Sequence, residues 1–274
     1  MDRKSKTFLY LQNILGRITI LIVAPLYFFM ALIFFYRVRN LKEIRRQCAI
    51  EFSRHNGSWI ICANHLTTID SFILDYALFS LGQYMISFRN LPWNLPEGSN
   101  FQSNIFLRVL CYLSKCIPIH RGGSREKMKK NLDKCIYLLR RGDNIMIFPE
   151  GRRSRTGRVN KEDFSYGVGR FIKNVENCKV MCMYMRGDKQ AGYSIIPAWG
   201  EKFSVQIEVF TPEPLEGSDL KVQREYATQI IDRLAQMEEK YFALRRKRCG
   251  GFEGTSECGE KQEFALSKKN PHKC

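Results

Sequence analysis

The stretch SWIICANHLTTIDSFILDYALFSL, residues 58–81, decides the fold class of this 274-residue chain. Residues 58–63 form a short apolar run of strand length, whereas residues 68–81 have the apolar spacing of a helix that ends before Gly82. A strand followed at once by a helix is the repeating unit of α/β proteins. The stretch therefore predicts a β-strand, a polar loop around His65 and a helix.

The same alternation continues toward the C-terminus. Further strands are predicted at residues 84–88, 117–119, 144–148, 180–186 and 204–210. Further helices are predicted over residues 103–115, from an N-cap at Ser124 to Arg141, and over about 220–246. This pattern predicts an α/β domain with a mixed, largely parallel sheet flanked by helices.

Near the N-terminus, residues 18–36 form an apolar segment of 19 residues without a charge. As a helix it would be about 28 Å long, close to the thickness of a bilayer's hydrocarbon core. Pro25 favours a kink, and a shorter apolar helix is predicted over residues 7–15. Basic residues after the segment predict that the following domain lies on the cytoplasmic side of a membrane. A single span, a shallow insertion and a buried core helix remain open.

Composition divides the chain into three parts. We expect membrane-anchoring helices in residues 1–45, the α/β domain in residues 46–247, and a flexible polar tail in residues 248–274.

The ten cysteines contain no CxxC pair, which excludes a regular zinc ribbon. We expect most of these thiols to be buried in a protein of a reducing compartment.

The chain carries 44 Lys and Arg against 27 Asp and Glu, a formal net charge of +17. Residues 1–47, 121–141 and 150–173 together hold the whole excess. This clustering predicts a surface or cleft that faces phosphate, on a nucleic acid, an anionic membrane or a small phosphorylated substrate. The apolar segment favours a membrane, and the sequence has no aromatic and basic nucleic-acid-binding module of the usual kinds.

His65 and Asp70 are the first candidate catalytic residues. On one helix, side chains five residues apart would point about 140° apart. They can meet if His65 lies in the loop after the strand and Asp70 in the first turn of the helix, with Thr67 or Thr68 as the N-cap. The carboxylate would then fix the imidazole tautomer and leave the second ring nitrogen as a base.

A second candidate element, FPEGRRS at residues 148–154, follows the predicted strand at 144–148. It should lie at the carboxyl end of the sheet, where open α/β folds bind ligands. A guanidinium fork suits a phosphate monoester, and four arginines crowd this loop: Arg152, Arg153, Arg155 and Arg158. Arg121 follows the predicted strand at 117–119 in the same way. The alternative for the loop is a solvated basic turn, and the alternative for Arg121 is an exposed arginine at a strand end.

Three blocks of the sequence resemble the glycerolipid acyltransferases, the family of the 1-acylglycerol-3-phosphate acyltransferases. NHLTTID at residues 64–70 resembles the NHX4D motif, and residues 148–154 resemble the FPEGTRS block, with Arg152 in place of threonine. IPIHR at residues 117–121 resembles the intervening block that ends in arginine. The order and separation of the blocks also match, whereas residues 180–186 lack the proline of the family's final hydrophobic block.

The resemblance implies a membrane-bound O-acyltransferase without a cofactor, a metal ion or an acyl-enzyme. His65 would deprotonate the acceptor hydroxyl, which attacks the thioester of acyl-CoA or acyl-carrier protein, and Asp70 would orient His65. The arginines of the family's substrate-binding positions would hold a phosphate and the glutamate the glycerol region. Those positions correspond here to Arg121, Glu150, Gly151, Arg152, Arg153 and Ser154.

The expected acceptor is a lysophospholipid, 1-acylglycerol-3-phosphate, which gives phosphatidic acid. Another lyso-lipid, such as a lyso-ornithine lipid, and glycerol-3-phosphate itself remain alternatives within the same reaction. Alternatives of a different class are a non-catalytic protein that binds anionic membranes and a nucleic-acid binder. The His65 and Asp70 pair argues against the first and the apolar segment against the second.

Overall fold

A six-stranded sheet with helices on both faces forms the centre of the protein in the computed structural model, which describes residues 1–98, 104–119, 124–213 and 215–250. The described strands are β1 (Arg37–Val38), β2 (Ser58–Ala63), β3 (Trp93–Asn94), β4 (Ile145–Ile147), β5 (Cys178–Gly187) and β6 (Lys202–Phe210). The described α-helices are α1 (Arg3–Ile33), α2 (Leu41–Ser53), α3 (Asp70–Leu78), α4 (Leu81–Ile86), α5 (Ile105–Leu113), α6 (Arg125–Arg140), α7 (Gly167–Asn174) and α8 (Asp219–Gly250).

The strand order is β1-β6-β5-β2-β4-β3, and every neighbouring pair is parallel except β5 with β6. The predicted mixed, largely parallel sheet flanked by helices is therefore confirmed. All six residues of β2 are buried because the sheet is covered on both faces. Trp59 and Ile61 point into the cluster that contains residues of α2, α3 and α4, and Ile60 and Cys62 into the cluster under α6, α7 and α8.

The N-terminal apolar region forms one 31-residue helix, α1, which contains Pro25. Residues 7–15 and residues 18–33 of the second predicted segment are therefore parts of a single helix. Within the described residues, α1 is the one helix long and apolar enough to cross a membrane by length and composition, over Arg3–Val23. This finding is weak evidence of membrane association by itself, since core helices and signal sequences meet the same criteria.

Residues 34–36 were predicted as part of the apolar helix but lie outside α1. Phe35 has a φ of 52°, which ends the helical path. The Tyr36 hydroxyl then donates a hydrogen bond to the Pro197 carbonyl oxygen at 3.0 Å. Immediately afterwards Arg37 and Val38 pair with Lys202 and Phe203. The chain after Ile33 is thus bound to the sheet and cannot continue the helix.

The strand predicted at residues 84–88 is wrong, because this segment is the end of α4 and the start of a 3₁₀ turn at Phe88–Asn90. Ser80 and Gln83 form a reciprocal capping box that begins α4. The buried Tyr84 hydroxyl donates to the Asp75 carbonyl oxygen at 2.6 Å, which ties α4 to α3. An apolar run of this length is compatible with a strand or a helix, and here the capping box favours the helix.

Residues 117–119 were predicted as a strand but form isolated bridges only. Asn94 bridges Cys116 and Glu97 bridges Ile119, both in parallel orientation. The segment therefore runs beside the chain that follows β3 without forming a regular strand. The residues after it, 120–123, lie outside the described part of the chain, and so do residues 251–274 of the predicted polar tail.

Candidate active site

The site begins where two neighbouring parallel strands end side by side. β2 and β4 pair from Ile60 with Ile145 to Cys62 with Ile147, so the loops that follow them meet. The main-chain N–H of Ser154 donates to the His65 carbonyl oxygen at 2.8 Å. The two loops that carry the predicted motifs are therefore joined through their backbones.

His65 and Asp70 are in direct contact. Nδ1 of His65 lies 3.1 Å from Oδ2 of Asp70, which is the first residue of α3. The Asp70 side chain is 2% exposed and the His65 side chain 15%, so the imidazole alone reaches the surface of the site. The Phe148 ring stacks on the imidazole with centroids 4.2 Å apart. Because Nδ1 faces a carboxylate, it carries the proton and leaves Nε2 as the acceptor.

The Asp70 carboxylate is held by the loop that precedes α3. Its Oδ2 accepts from the main-chain N–H groups of Leu66 at 2.6 Å and Thr67 at 2.8 Å. The Thr67 hydroxyl donates to Oδ1 at 2.5 Å. The N-cap of α3 is Ile69, not Thr67 or Thr68 as predicted, because the Thr67 hydroxyl is bound to the carboxylate. This set of donors fixes the carboxylate against the imidazole.

Glu150 supports the His65 backbone. Its Oε1 accepts from the main-chain N–H of His65 at 2.9 Å, and its Oε2 accepts from that of Asn160 at 3.3 Å. The residue is 3% exposed, and burial raises the pKa of its carboxyl to about 7. Both oxygens thus contact the protein's own main chain.

Gly151 and Arg153 face the site from the same loop. Gly151 has a φ of 69°, and a Cβ there would lie 3.3 Å from the Cβ of Ser165, which explains the glycine. The Arg153 guanidinium donates to the Thr68 hydroxyl at 2.7 Å and lies over the Tyr193 ring, 4.9 Å from its centroid. The Arg153 guanidinium is therefore held in place by Thr68 and Tyr193.

The side chains of two other predicted site residues, Arg152 and Ser154, are engaged in contacts outside the cavity. Arg152 forms an ion pair with Asp163 at the surface, and its side chain is 58% exposed. Ser154 is buried and its hydroxyl donates to the Arg158 carbonyl oxygen, so it shapes the loop. Arg121 lies outside the described residues.

A cavity of about 430 Å³ opens beside this arrangement. His65, Gly151 and Arg153 line it, whereas Glu150, Arg152 and Ser154 are not among its lining residues. Most of the remaining lining is apolar: Phe72, Leu91, Leu95, Pro96, Cys111, Cys116, Ile119, Met128, Leu132, Ile147 and Phe148. The cavity can enclose an apolar chain with one end at the imidazole.

The sequence analysis missed several residues of the site. Thr68 and Tyr193 hold Arg153, and Asp75 and Asn94 line the cavity. Asp75 had a detectable signal, since a carboxylate within the apolar helical stretch at residues 68–81 is unusual. No comparable signal marks Tyr193 or Asn94, which reach the site through the tertiary fold.

No group of three or more His, Cys, Asp or Glu residues that could hold a metal ion occurs within the described ranges. The cysteines described there are free thiols, and all but Cys178 are buried. Burial raises the pKa of the Cys48, Cys135 and Cys182 thiols to about 12. These thiols are therefore protonated near neutral pH and unsuited to act as nucleophiles.

Comparison with known proteins agrees with the geometry. Residues 36–199, more than half of the chain, match the family model described as Acyltransferase. The chain matches none of the curated proteins with which it was compared. The family match assigns an acyl transfer activity in lipid metabolism, with an acyl donor and a lipid acceptor as substrates. The motif loops after β2 and β4 both fall inside the matched region, and the chain belongs to the Acyltransferase family, that of the glycerolipid acyltransferases.

Proposed function

We propose that the protein is a membrane-associated O-acyltransferase that moves a fatty acyl group from acyl-CoA or acyl-carrier protein to the hydroxyl of a lysophospholipid. The proposed acceptor is 1-acylglycerol-3-phosphate, and the product is phosphatidic acid. The observation that carries the proposal is the contact between His65 and Asp70 at the edge of an apolar cavity that Arg153 also lines.

The chemistry requires a single displacement. Nε2 of His65 removes the proton from the acceptor hydroxyl, and the oxygen attacks the carbonyl carbon of the thioester. The carbon–sulfur bond then breaks, and the proton on Nε2 passes to the departing sulfur, which leaves an ester and a free thiol. Asp70 keeps the imidazole in the correct tautomer and stabilises the imidazolium while it exists. Because the hydroxyl attacks directly, the reaction uses no acyl-enzyme.

Amides at the start of α3 are the proposed donors to the oxyanion. The Leu66 and Thr67 amides already donate to Asp70, and the Thr68 amide donates to the Ile195 carbonyl oxygen at 3.1 Å. The Phe72 and Ile73 amides donate to the Ile69 carbonyl oxygen, so we assign the oxyanion to the amides of Asp70 and Ser71 at the first turn of α3.

We assign the acceptor phosphate to Arg153, together with Arg121 on sequence grounds. Arg153 lines the same cavity as His65, and its contacts with Thr68 and Tyr193 hold the guanidinium in place without a carboxylate partner among the described residues. A guanidinium without a carboxylate partner is well suited to a phosphate monoester. Gly151 lets the backbone turn close to the cavity. Glu150 and Ser154 act by holding the two loops together.

The membrane association rests on an exposed apolar surface. Ile18, Leu21 and Ile22 on α1 are 66%, 59% and 69% exposed. The Gln12 side chain docks α1 on the end of α5 by donating to the Tyr112 and Cys116 carbonyl oxygens at 2.9 Å. A helix docked in this way with its other face exposed suits insertion into one leaflet, with the domain on the cytoplasmic side.

One assay tests the proposal. Purified full-length protein in detergent is given labelled acyl-CoA or acyl-carrier protein with 1-acylglycerol-3-phosphate, other lyso-lipids or glycerol-3-phosphate, and the products are read by mass spectrometry. We expect labelled phosphatidic acid. Esterification of a different acceptor alone would contradict the proposed acceptor, and liposome binding without acyl transfer to any acceptor would contradict the enzyme itself.

A further inference from the structure

Two polar side chains stand in the apolar cavity at some distance from His65. Asp75 lies five residues after Asp70 on α3, about 7.5 Å further along the helix axis. Asn94, on β3, faces it: the Asn94 amide donates to Oδ2 of Asp75 at 3.2 Å. Both residues line the cavity and both are more than nine-tenths buried, at 7% and 8% exposed.

Each of the two side chains has an oxygen without a hydrogen bond. Oδ1 of Asp75 and Oδ1 of Asn94 are buried and accept nothing from any residue that the structure describes. An unsatisfied buried polar atom costs about 1–3 kcal/mol, so two of them on residues that line one cavity need an explanation.

The nearest cation does not supply the missing donor. The buried Lys115 ammonium donates to the carbonyl oxygens of Leu91 at 2.7 Å and Phe88 at 3.3 Å. It also lies 3.7 Å from Oδ1 of Asp143. Its hydrogen-bonding capacity is therefore directed away from the free oxygens of Asp75 and Asn94, which leaves two polar atoms on residues of the cavity wall without a partner among the described residues.

We propose that Asp75 and Asn94 form a polar subsite that binds a hydroxyl group carried by one of the two substrates of the proposed acyl transfer. A hydroxyl on the acyl chain would donate to Oδ1 of Asn94 from within the cavity, and it would accept from the Asp75 carboxyl while that group keeps its proton. A hydroxyl on the acceptor's headgroup would do the same from the Arg153 side. The inference rests on the proposed function and adds a preference for hydroxyl-bearing substrates to it.

The test measures kcat/KM of the full-length enzyme in two arms. The first compares a saturated acyl-CoA with chains of the same length that carry one hydroxyl at successive positions. The second keeps the saturated donor and compares a lysophosphatidylglycerol with a lysophospholipid whose headgroup is a propyl phosphodiester, so that the two acceptors differ in their headgroup hydroxyls alone. We expect a hydroxyl-bearing substrate to be favoured about tenfold or more in one arm, and the arm identifies the source of the hydroxyl.

Variants assign the preference to the two side chains. Asn94→Leu and Asp75→Leu should bring the ratio of hydroxylated to plain substrate close to one, whereas Asp75→Asn, which keeps an acceptor oxygen, should retain most of the preference. Asn94→Leu leaves Asp75 beside Lys115 and therefore carries the test if Asp75→Leu fails to fold. Asn174→Leu is the matched control. It removes the side-chain amide of a residue at the end of α7, where Nδ2 of Asn174 donates to the Arg170 carbonyl oxygen. This variant should leave the ratio of hydroxylated to plain substrate unchanged.

The outcomes separate the two proposals. Equal kcat/KM for all substrates of a working wild-type enzyme would overturn the polar subsite, and so would a preference that survives Asn94→Leu. Absence of acyl transfer to every acceptor would instead contradict the proposed function.

Discussion

The Glu150 carboxylate accepts a hydrogen bond from the main-chain N–H of His65 at 2.9 Å, and its second oxygen accepts from the main-chain N–H of Asn160 at 3.3 Å. The acidic residue after β4 thereby holds the backbone of the histidine after β2. The resemblance to the family implied a contact between this residue and the glycerol region of the acceptor. The geometry instead favours a role in positioning His65, and the two roles predict different kinetics.

Replacing Glu150 distinguishes these roles. Glu150→Ala removes both acceptors and frees the loop that carries His65, so we expect kcat to fall about 10–100-fold with little change in either KM. Glu150→Gln keeps one acceptor oxygen but places an N–H donor against a second main-chain donor, and its loss should be smaller. Steady-state kinetics with donor and acceptor varied in turn measure kcat and both KM values of each variant. An unchanged kcat with a raised acceptor KM would assign Glu150 to acceptor binding.

Arg153→Ala should raise the acceptor KM about tenfold or more and leave the donor KM nearly unchanged, because its guanidinium is the proposed phosphate ligand. Arg152→Ala is the matched comparison: the neighbouring guanidinium pairs with Asp163 at the surface, and its loss should have a much smaller effect. An acceptor KM unaffected by Arg153→Ala would remove the proposed phosphate role.

Asp75 should make stability fall with rising pH. Burial raises the pKa of Asp75 to about 8 from 3.8. Between these values the folded protein keeps a proton that the unfolded chain has released, so the free energy of unfolding decreases as the pH rises from about 4 to 8. Asp75→Asn removes this pH-dependent contribution to the free energy of unfolding. We expect the melting temperature of Asp75→Asn, relative to wild type, to rise by about 2–4 °C or more between pH 5 and pH 8. Parallel melting curves at the two pH values would contradict the assignment.

Gly16 tests the docking of α1 on the domain. A Cβ at this position would lie 2.7 Å from the Leu113 carbonyl oxygen and 3.0 Å from the Phe88 ring. Gly16→Val should therefore separate the helix from α5, lower the melting temperature by several degrees, of the order that about 1–3 kcal/mol causes, and expose α1 to protease. Gly82→Ala is the control, because a Cβ there has no neighbour within 4 Å and alanine favours the helix. Equal melting temperatures for both variants would show that α1 is not docked through this contact.

The parts of the site that follow from short stretches of sequence were predictable. Strands β2 and β4 are short apolar runs, and the polar motifs begin directly after them, so the sequence alone places His65 and the 148–154 loop at one edge of the sheet. The contact between His65 and Asp70 was also predictable, because their spacing lets them meet when a loop carries the histidine and the next helix begins at the aspartate.

The remainder depends on tertiary contacts. α7 was not predicted because its glycines weaken a helical pattern, yet Gly169 is required there: a Cβ would lie 1.8 Å from the Gln223 carbonyl oxygen of α8. The short strands β1 and β3 exist through pairing with β6 and β4 and carry no local signal. The capping box of Ser80 and Gln83 was visible in the sequence and would have corrected the strand predicted at residues 84–88.

The most direct test of the central claim is acyl transfer by His65→Ala, measured with labelled acyl-CoA and 1-acylglycerol-3-phosphate on protein whose melting curve matches that of the wild type. Loss of the general base should lower kcat by about 10²-fold or more, and Asp70→Asn should have a similar effect because it disturbs the tautomer and the charge that support the base. Turnover by folded His65→Ala at the wild-type rate would contradict the account.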